Sequence, residues 1–367
     1  MRIGVDARLV DYTVGGIARY TVQLLEAMAG QLGERATVAI RSTRSKVSAP
    51  PVVATETVAV RTPPHHRLER FVLSWELRGA ALDVLHSPDF IPPRPGGWRS
   101  VITVHDLAYL RMPGLLTGPS RRYYGSIRRA VVEADAIIAV SQATADDLVR
   151  LTGARPEKIH LVYEAPDATL TPLPRDEAAA AVQHRFGIVG PYVLFVGTLE
   201  PRKNIPALIT AFGQLRKDFP LRLVLAGRNG WLSESIFSSV KEQAASDGVD
   251  FLEDFNATDL RSLYSGAEVL ALPSFYEGFG LPAVEAMACG TPVVVANTGA
   301  LPEVVGDAGV LIRPDDPMDI AQGLGWVLGN PKFRELLSQK GRERAASFSW
   351  ERAARETLAV YDAVAAT

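Results

Sequence analysis

The sequence predicts an α/β protein built as two doubly wound, parallel-sheet domains. Three observations carry that expectation. Short apolar runs alternate with longer amphipathic stretches, the order that buries a parallel sheet between helices. The alternation stops once, at a proline-rich segment near the middle, and then starts again. The length, 367 residues, accommodates two domains of ordinary size.

In the first half the strand-like runs are 2–5, 37–40, 84–86, 101–104 and 136–140, with helical patterning between them at 17–28 and 121–134. Residues 164–174 hold three prolines in eleven positions and interrupt both helix and strand. The expected organisation is therefore a first domain over 1–170, a linker over 171–190 and a second domain over 191–348. In that second domain, strands are expected at 192–196, 221–226, 249–251, 269–271, 292–295 and 310–312, with helices at 205–216 and 233–246. The tail, 349–367, is helical, with Trp350, Ala353, Leu358, Val360, Tyr361 and Val364 as its apolar face. Two such Rossmann-like domains are expected to face each other across a cleft, with ligands at the carboxyl ends of the strands.

Composition narrows the function. The hydrophobic fraction of 47% and charged fraction of 22% are ordinary for a globular chain. A single cysteine, Cys289, rules out an internal disulfide and suits a reducing compartment. No apolar run approaches the ~18 residues that would span a bilayer, and the first residues lack the apolar core of a signal peptide. The expectation is a cytoplasmic protein whose membrane contact, if any, is peripheral, at the inner face. Net charge is −2, with Lys/Arg over Asp/Glu at 21 to 17 in residues 1–170 and at 18 to 24 in 171–367. Neither half is basic enough for a nucleic-acid binder.

The motifs sit where strands hand over to helices. In Pro273-Ser274-Phe275-Tyr276-Glu277-Gly278-Phe279-Gly280-Leu281-Pro282, the glycines let a ligand approach the backbone. Pro282 suits a first helical turn, and the helix N-terminus that follows offers N–H groups and a dipole to a phosphate. Glu277 in the loop and Glu285 a turn into the helix flank that point, and two carboxylates there suit the hydroxyls of a hexose and a ribose. A second motif, Gly197-Thr198-Leu199-Glu200-Pro201-Arg202-Lys203-Asn204, puts two cations on what reads as a surface-facing turn before a helix. Positive charge there opposes the helix dipole, so a phosphate ligand explains it better than chance. Such cations would absorb charge on a leaving diphosphate without a divalent metal, and the chain contains no Asp-x-Asp pair or histidine cluster for one.

Five further stretches carry weaker signals. Gly15-Gly16 after the first strand lacks the spacing of a dinucleotide fingerprint. His105-Asp106 ends the strand over 101–104. Ser141 to Asp147 reads as a helix cap with acids in its first turn, a structural feature alone. Arg121, Arg122, Arg128 and Arg129 fall on one side of a helix, and Arg61, His65, His66, Arg67 and Arg70 form a second basic stretch. Both could meet an anionic membrane, or be solvated surface.

Taken together, these motifs resemble retaining glycosyltransferase family 4. Glu277 and Glu285, with seven residues between them and followed by Ala286-Met287-Ala288-Cys289-Gly290-Thr291-Pro292, match the Glu-x7-Glu signature of that family. Gly197 with Pro201-Arg202-Lys203-Asn204, Gly15-Gly16, Val104-His105-Asp106 and Phe348-Ser349-Trp350 match it in the same order. The resemblance implies the GT-B fold, with a nucleotide diphosphate sugar as co-substrate in the second domain, no metal cofactor, and a glycan or lipid-linked acceptor in the first. It assigns the transferred sugar to Glu277 and the ribose to Glu285. It assigns the diphosphate to Arg202 and Lys203, with backbone at Gly278, Phe279, Gly280, Leu281, Gly15 and Gly16. It further places His105 beside the reacting sugar, Phe255 near the base, and the terminal helix back on the first domain. The wording around Gly15–Gly16 and His105–Asp106 is most similar to bacterial GDP-mannose-dependent mannosyltransferases of cell-surface polysaccharide synthesis. A UDP-sugar-dependent transferase, a sugar-nucleotide epimerase or a phosphorylase shares the architecture. A glycoside hydrolase would share the two carboxylates, and a non-catalytic nucleotide-sugar binder the donor motifs.

Overall fold

The computed structural model describes residues 1–13, 15–44, 47, 50–115, 124–230 and 248–367. The helix expected at 233–246 and the positions of Arg121 and Arg122 lie outside the described residues. Contacts divide the chain into two units, Met1–Glu164 with Ser349–Thr367, and Ala165–Phe348.

The first unit holds a seven-stranded sheet in the order β3-β2-β1-β4-β5-β6-β7. The strands are β1 (Arg2–Asp6), β2 (Ala36–Ser42), β3 (Glu56–Val60), β4 (Val84–Ser87), β5 (Arg99–Val104), β6 (Ala136–Ala139) and β7 (Ile159–Leu161). All of their pairings are parallel. Ile3, Val5, Val101, Ile102, Ile137 and Ile138 are fully buried, because helices cover both faces of a parallel sheet and its central strands become continuous apolar runs. The edge strands β3 and β7 were not among the sequence expectations. Glu56, Thr57 and Leu161 are exposed, so neither strand carries the apolar run that marks a central one.

Helix α1 (Gly16–Ala29) buries Tyr20, Leu24, Leu25 and Met28. The C-terminal helix Trp350–Ala365 packs on it. Ser349 caps that helix by accepting a hydrogen bond from Arg352 N at 3.1 Å. Its stripe of Trp350, Ala354, Leu358 and Tyr361 is buried, and Arg35 pairs with Asp362 at 2.5 Å. The helix expected at 121–134 is described as Ile127–Glu133, starting after Ser126. Ser141 caps Gln142–Asp147 through Thr144 N at 3.0 Å. Its acids lie beyond the first turn, and Asp147 instead holds Arg111 and Arg150, each at 2.6 Å.

The second unit holds a six-stranded sheet in the order β10-β9-β8-β11-β12-β13. Its strands are β8 (Tyr192–Val196), β9 (Arg222–Ala226), β10 (Val249–Leu252), β11 (Val269–Leu272), β12 (Val293–Ala296) and β13 (Gly309–Ile312), again all parallel. The expected linker over 171–190 is different in the structure. Arg175–Phe186 forms a helix, with Asp176 and Glu177 in its first turn, His184 and Arg185 in its last, and left-handed Gly187 as its cap. Ala178 and Val182 are buried, and the helix packs on helix Ala257–Gly266 of the same unit. The prolines break the chain only as far as Pro174, and the contact division falls earlier, between Glu164 and Ala165.

In each sheet the strand order reverses once, between β1 and β4 and between β8 and β11. Open α/β sheets bind ligands beside that reversal, beyond the carboxyl ends of the strands. Gly197 to Asn204 follows β8, and Pro273 to Gly280 follows β11.

Candidate active site

Two chain turns meet at the reversal point of the second sheet. Pro201–Lys203 is one 3-10 turn, and Arg202 O accepts a hydrogen bond from Phe275 N at 2.9 Å, which ties that turn to the loop after β11. Asn204 locks the junction from its left-handed position, φ 57°. Its side-chain amide donates to Pro273 O at 3.2 Å and Pro314 O at 2.5 Å.

The turns bring both cations onto one carboxylate. Lys203 Nζ donates to Glu277 Oε1 at 2.7 Å, and Arg202 Nη1 donates to Glu277 Oε2 at 3.1 Å and to Tyr276 O at 2.7 Å. Ser274 Oγ donates to Glu277 Oε1 at 2.6 Å, and Arg202 Nη2 reaches Glu200 Oε1 at 2.6 Å. The surface-facing turn expected for these cations is therefore corrected: Lys203 is 7% exposed and Glu277 5%. Burial pushes the Glu277 carboxyl up, but Lys203 and Arg202 outweigh it and hold the group at about 2.

Behind Glu277, Gly280 adopts φ 98°, a left-handed conformation that favours glycine. It opens helix Leu281–Ala288 with Pro282 in the first turn and no side-chain cap. No side chain caps this end, and although Pro282 has no N–H and Ala283 N donates to Gly280 O at 2.9 Å, the helix dipole still favours an anion there. Glu285, one turn further, is buried and accepts from Tyr264 Oη at 2.7 Å. Phe279 is buried edge-on against Phe348, with ring centroids 5.5 Å apart. Phe255 is half-buried in the loop between β10 and helix Ala257–Gly266. Beside it, Asp254 Oδ2 lies 3.2 Å from Arg185, and Glu253 accepts from Asn229 at 2.7 Å.

The remaining expected residues belong to the first unit. Gly15 and Gly16 open α1. A Cβ added at Gly16 would meet nothing within 4 Å among the described residues, and one at Gly15 only Thr13 Oγ1 at 3.6 Å. His105 follows β5, and both ring nitrogens already have partners, Nδ1 with Glu164 Oε1 at 2.8 Å and Nε2 with Pro88 O at 3.0 Å. A carbonyl and a carboxylate both accept, an arrangement that favours the doubly protonated ring. Burial lowers the His105 pKa, but the hydrogen bond and charge of Glu164 reverse that and raise it. Tyr20 packs edge-on to the ring at 4.8 Å between centroids.

The sequence reading gave no role to Ser274, Glu200, Tyr264 or Glu164. Ser274 and Glu200 lie inside the motifs themselves and were legible as polar residues there. Tyr264 lies mid-helix, and Glu164 opens the proline-rich stretch, so only the fold reveals their partners.

Residues 14–170 match the family model for Glycosyltransferase Family 4, and residues 179–344 that for Glycosyl transferases group 1. The chain is similar to O-antigen chain mannosyltransferase B of Escherichia coli, 33% identical over 291 residues, which cover 78% of this chain and 76% of that one. It is also similar to a D-inositol 3-phosphate glycosyltransferase of Jonesia denitrificans, 30% identical over 391 residues, covering 95% and 91%. Among solved structures, sucrose-phosphate synthase from Thermosynechococcus elongatus aligns with a TM-score of 0.79 at 22% identity, covering 100% of this chain and 99% of that one.

Proposed function

The chain belongs to glycosyltransferase family 4 and is a glycosyltransferase of the GT-B type, and from that premise we propose that it transfers mannose from GDP-mannose, with retention, to a hydroxyl of a glycan or lipid-linked acceptor in cell-surface polysaccharide synthesis. The observation that carries the donor half of this reading is the convergence of Arg202, Lys203 and Glu277 beside the uncapped start of helix Leu281–Ala288. Two cations and a helix N-terminus suit a diphosphate. The buried carboxylate between the cations then suits the hydroxyls of the sugar attached to it.

In the proposed reaction the acceptor oxygen attacks the anomeric carbon on the face from which the diphosphate departs. The departing phosphate oxygen takes the acceptor proton. Arg202 and Lys203 stabilise the charge that develops there, a role worth about 10²–10³-fold in turnover at comparable sites, and this reading assigns that role to them rather than to a divalent metal. Glu277 orients the sugar, Glu285 the ribose, and Phe255 lies near the base. The preference for mannose rests on the motif wording around Gly15–Gly16 and His105–Asp106 and on the mannosyltransferase named among the relatives. The single cysteine, Cys289, which is buried, fits a cytoplasmic site of reaction.

Guanine presents an N1–H and an amino group, and this reading has Glu253 or Asp254, beside Phe255, exchange its present partner, Asn229 or Arg185, for them. Uracil lacks that pair, so carboxylates placed there would favour GDP over UDP. The test is a melting-temperature shift with GDP and with UDP, followed by incubation with labelled GDP-mannose and membrane extract, with and without EDTA. The expected result is a larger shift with GDP and EDTA-insensitive transfer to a product of retained anomeric configuration. A larger shift with UDP removes mannose and leaves a transferase, and an inverted product removes the same-face attack.

A further inference from the structure

Helix α2 (Glu69–Glu76) is apolar on two opposite sides. Inward, Leu73 and the following Leu77 are buried in a core with Val38, Ile40, Leu85 and Trp98. Outward, Leu68, Phe71, Val72 and Trp75 are 48%, 51%, 39% and 67% exposed. Their spacing of three, four and seven residues aligns them in one stripe about 100° wide. Large apolar side chains scattered singly on a surface need no explanation, but four in one contiguous stripe do.

The surroundings indicate what covers the stripe. Arg61, His66, Arg67, Arg78 and Arg94 are exposed around it, and the Arg94 guanidinium lies 4.4 Å over the Phe71 ring. The two acids of the helix are turned into the protein. Glu69 is buried against Arg8, and Glu76 accepts from Arg61 N at 2.8 Å and from Thr62 Oγ1 at 2.7 Å. The occupant is therefore apolar beneath and anionic at its rim. A second copy of this chain would bring the same cations against them. A partner protein would meet one eight-residue helix, against the roughly 20–30 residues a side of a standard interface.

We propose that this face of α2 docks the protein on an anionic lipid bilayer, with Phe71 and Trp75 seated among the acyl chains near the headgroups and the arginines paired with lipid phosphates. It narrows the second basic stretch read from the sequence; of the first, Arg121 and Arg122 lie outside the described residues. Arg70 pairs with Glu133, His65 with Asp89 and Arg129 with Glu133, while Arg61, His66 and Arg67 remain as the rim. The inference stands apart from the choice of donor and gives a lipid-linked acceptor a surface on which to be met.

The test is co-sedimentation of the full chain with vesicles of phosphatidylglycerol and phosphatidylcholine, and with phosphatidylcholine alone, at low and high salt. The expected result is binding to the anionic vesicles that weakens with salt. It should fall at least tenfold in Phe71→Ser with Trp75→Ser, and likewise in Arg67→Gln with Arg78→Gln and Arg94→Gln. The melting shift with nucleoside diphosphate should persist in both variants, which shows that they fold. Wild-type protein that stays in the supernatant with anionic vesicles overturns the proposal. So does a Phe71→Ser, Trp75→Ser protein that binds within twofold of wild type, or a concentration-dependent dimer that dissociates on Trp75→Ser. Loss of the nucleotide response in the wild type with vesicle binding intact counts against the donor site alone.

Discussion

Tyr361 Oη lies 2.6 Å from His86 Nδ1, a buried hydrogen bond between residues 275 positions apart. The contact continues inward, from His86 Nε2 to Thr103 Oγ1 at 2.8 Å and from there to Tyr20 Oη at 3.2 Å. It anchors the C-terminal helix to the strands β4 and β5 of the first unit. A neutral imidazole donates at one nitrogen and accepts at the other, so the relay runs in one direction along its length.

Tyr361→Phe removes the donor or acceptor at Nδ1 and leaves a buried ring nitrogen unmatched, a loss of roughly 1–3 kcal/mol. The expected outcome is a lower melting temperature and faster amide exchange confined to Trp350–Ala365. Unchanged exchange in that helix would remove the anchoring role. Burial and the charge of His105 also lower the His86 pKa to about 3 from its ordinary 6.5. The neutral ring therefore adds stability above pH 6.5, and that contribution fades as pH falls from 6.5 toward 3. Helix exchange should accelerate over that window.

Lys203 and Glu277 should behave as a coupled pair. Lys203→Met strands a buried carboxylate with one cation and should cost on the order of 3 kcal/mol of stability. Lys203→Met with Glu277→Gln should regain most of it while turnover stays about 10²-fold down or lower, because the leaving group has lost its cation. Denaturation midpoints and rates of the two singles and the double measure both quantities. Additive stability losses would mean that the two side chains do not interact.

The same carboxylate gives an acid signature. Glu277 is held at about 2, below the ordinary 4.5. Its stabilising contribution is complete above about pH 4.5 and is lost as pH falls from 4.5 toward 2. Glu277→Gln should flatten the stability profile of the second unit in that interval and leave it unaltered in slope near pH 7. Parallel profiles for the two proteins would contradict the pairing.

The two glutamates should divide their labour. Tyr264 Oη holds Glu285 at 2.7 Å, so Tyr264→Phe and Glu285→Gln should each weaken binding of the bare nucleoside diphosphate by about tenfold, near 1.4 kcal/mol. Glu277→Gln should lower turnover with a smaller change in that affinity. Calorimetry with GDP and with UDP checks it, and equal losses from both glutamate substitutions would refute the division.

His105 and Glu164 predict an alkaline effect. Glu164 raises the His105 pKa, so the charged ring contributes its stability fully below about pH 6.5 and loses it as pH rises through the raised value. Glu164→Gln should bring the ring's NMR titration down toward or below 6.5. It should move the alkaline limb of kcat to lower pH with KM nearly constant. A titration curve unchanged by Glu164→Gln would show that the carboxylate does not set the charge of the ring.

The sequence by itself determined the architecture and named the charged residues of the candidate site. Strand periodicity located the buried strands, and the motifs after the strands β8 and β11 named Arg202, Lys203, Glu277 and Glu285. These features are local, since an apolar run, a glycine turn or a helix start is written in neighbouring residues. Edge strands β3 and β7 escaped because half of each faces solvent, and helix Arg175–Phe186 escaped because the prolines before it resembled a linker. Only the tertiary structure decided which charges meet. It turned two cations and a carboxylate into one buried ion cluster, gave His105 two acceptors that favour its charged form, and set Tyr361 against His86. It also drew His65, Arg70 and Arg129 into ion pairs and left the apolar stripe of α2 outward. Ionisation and exposure depend on groups brought together from distant parts of the chain, and no local pattern encodes that proximity.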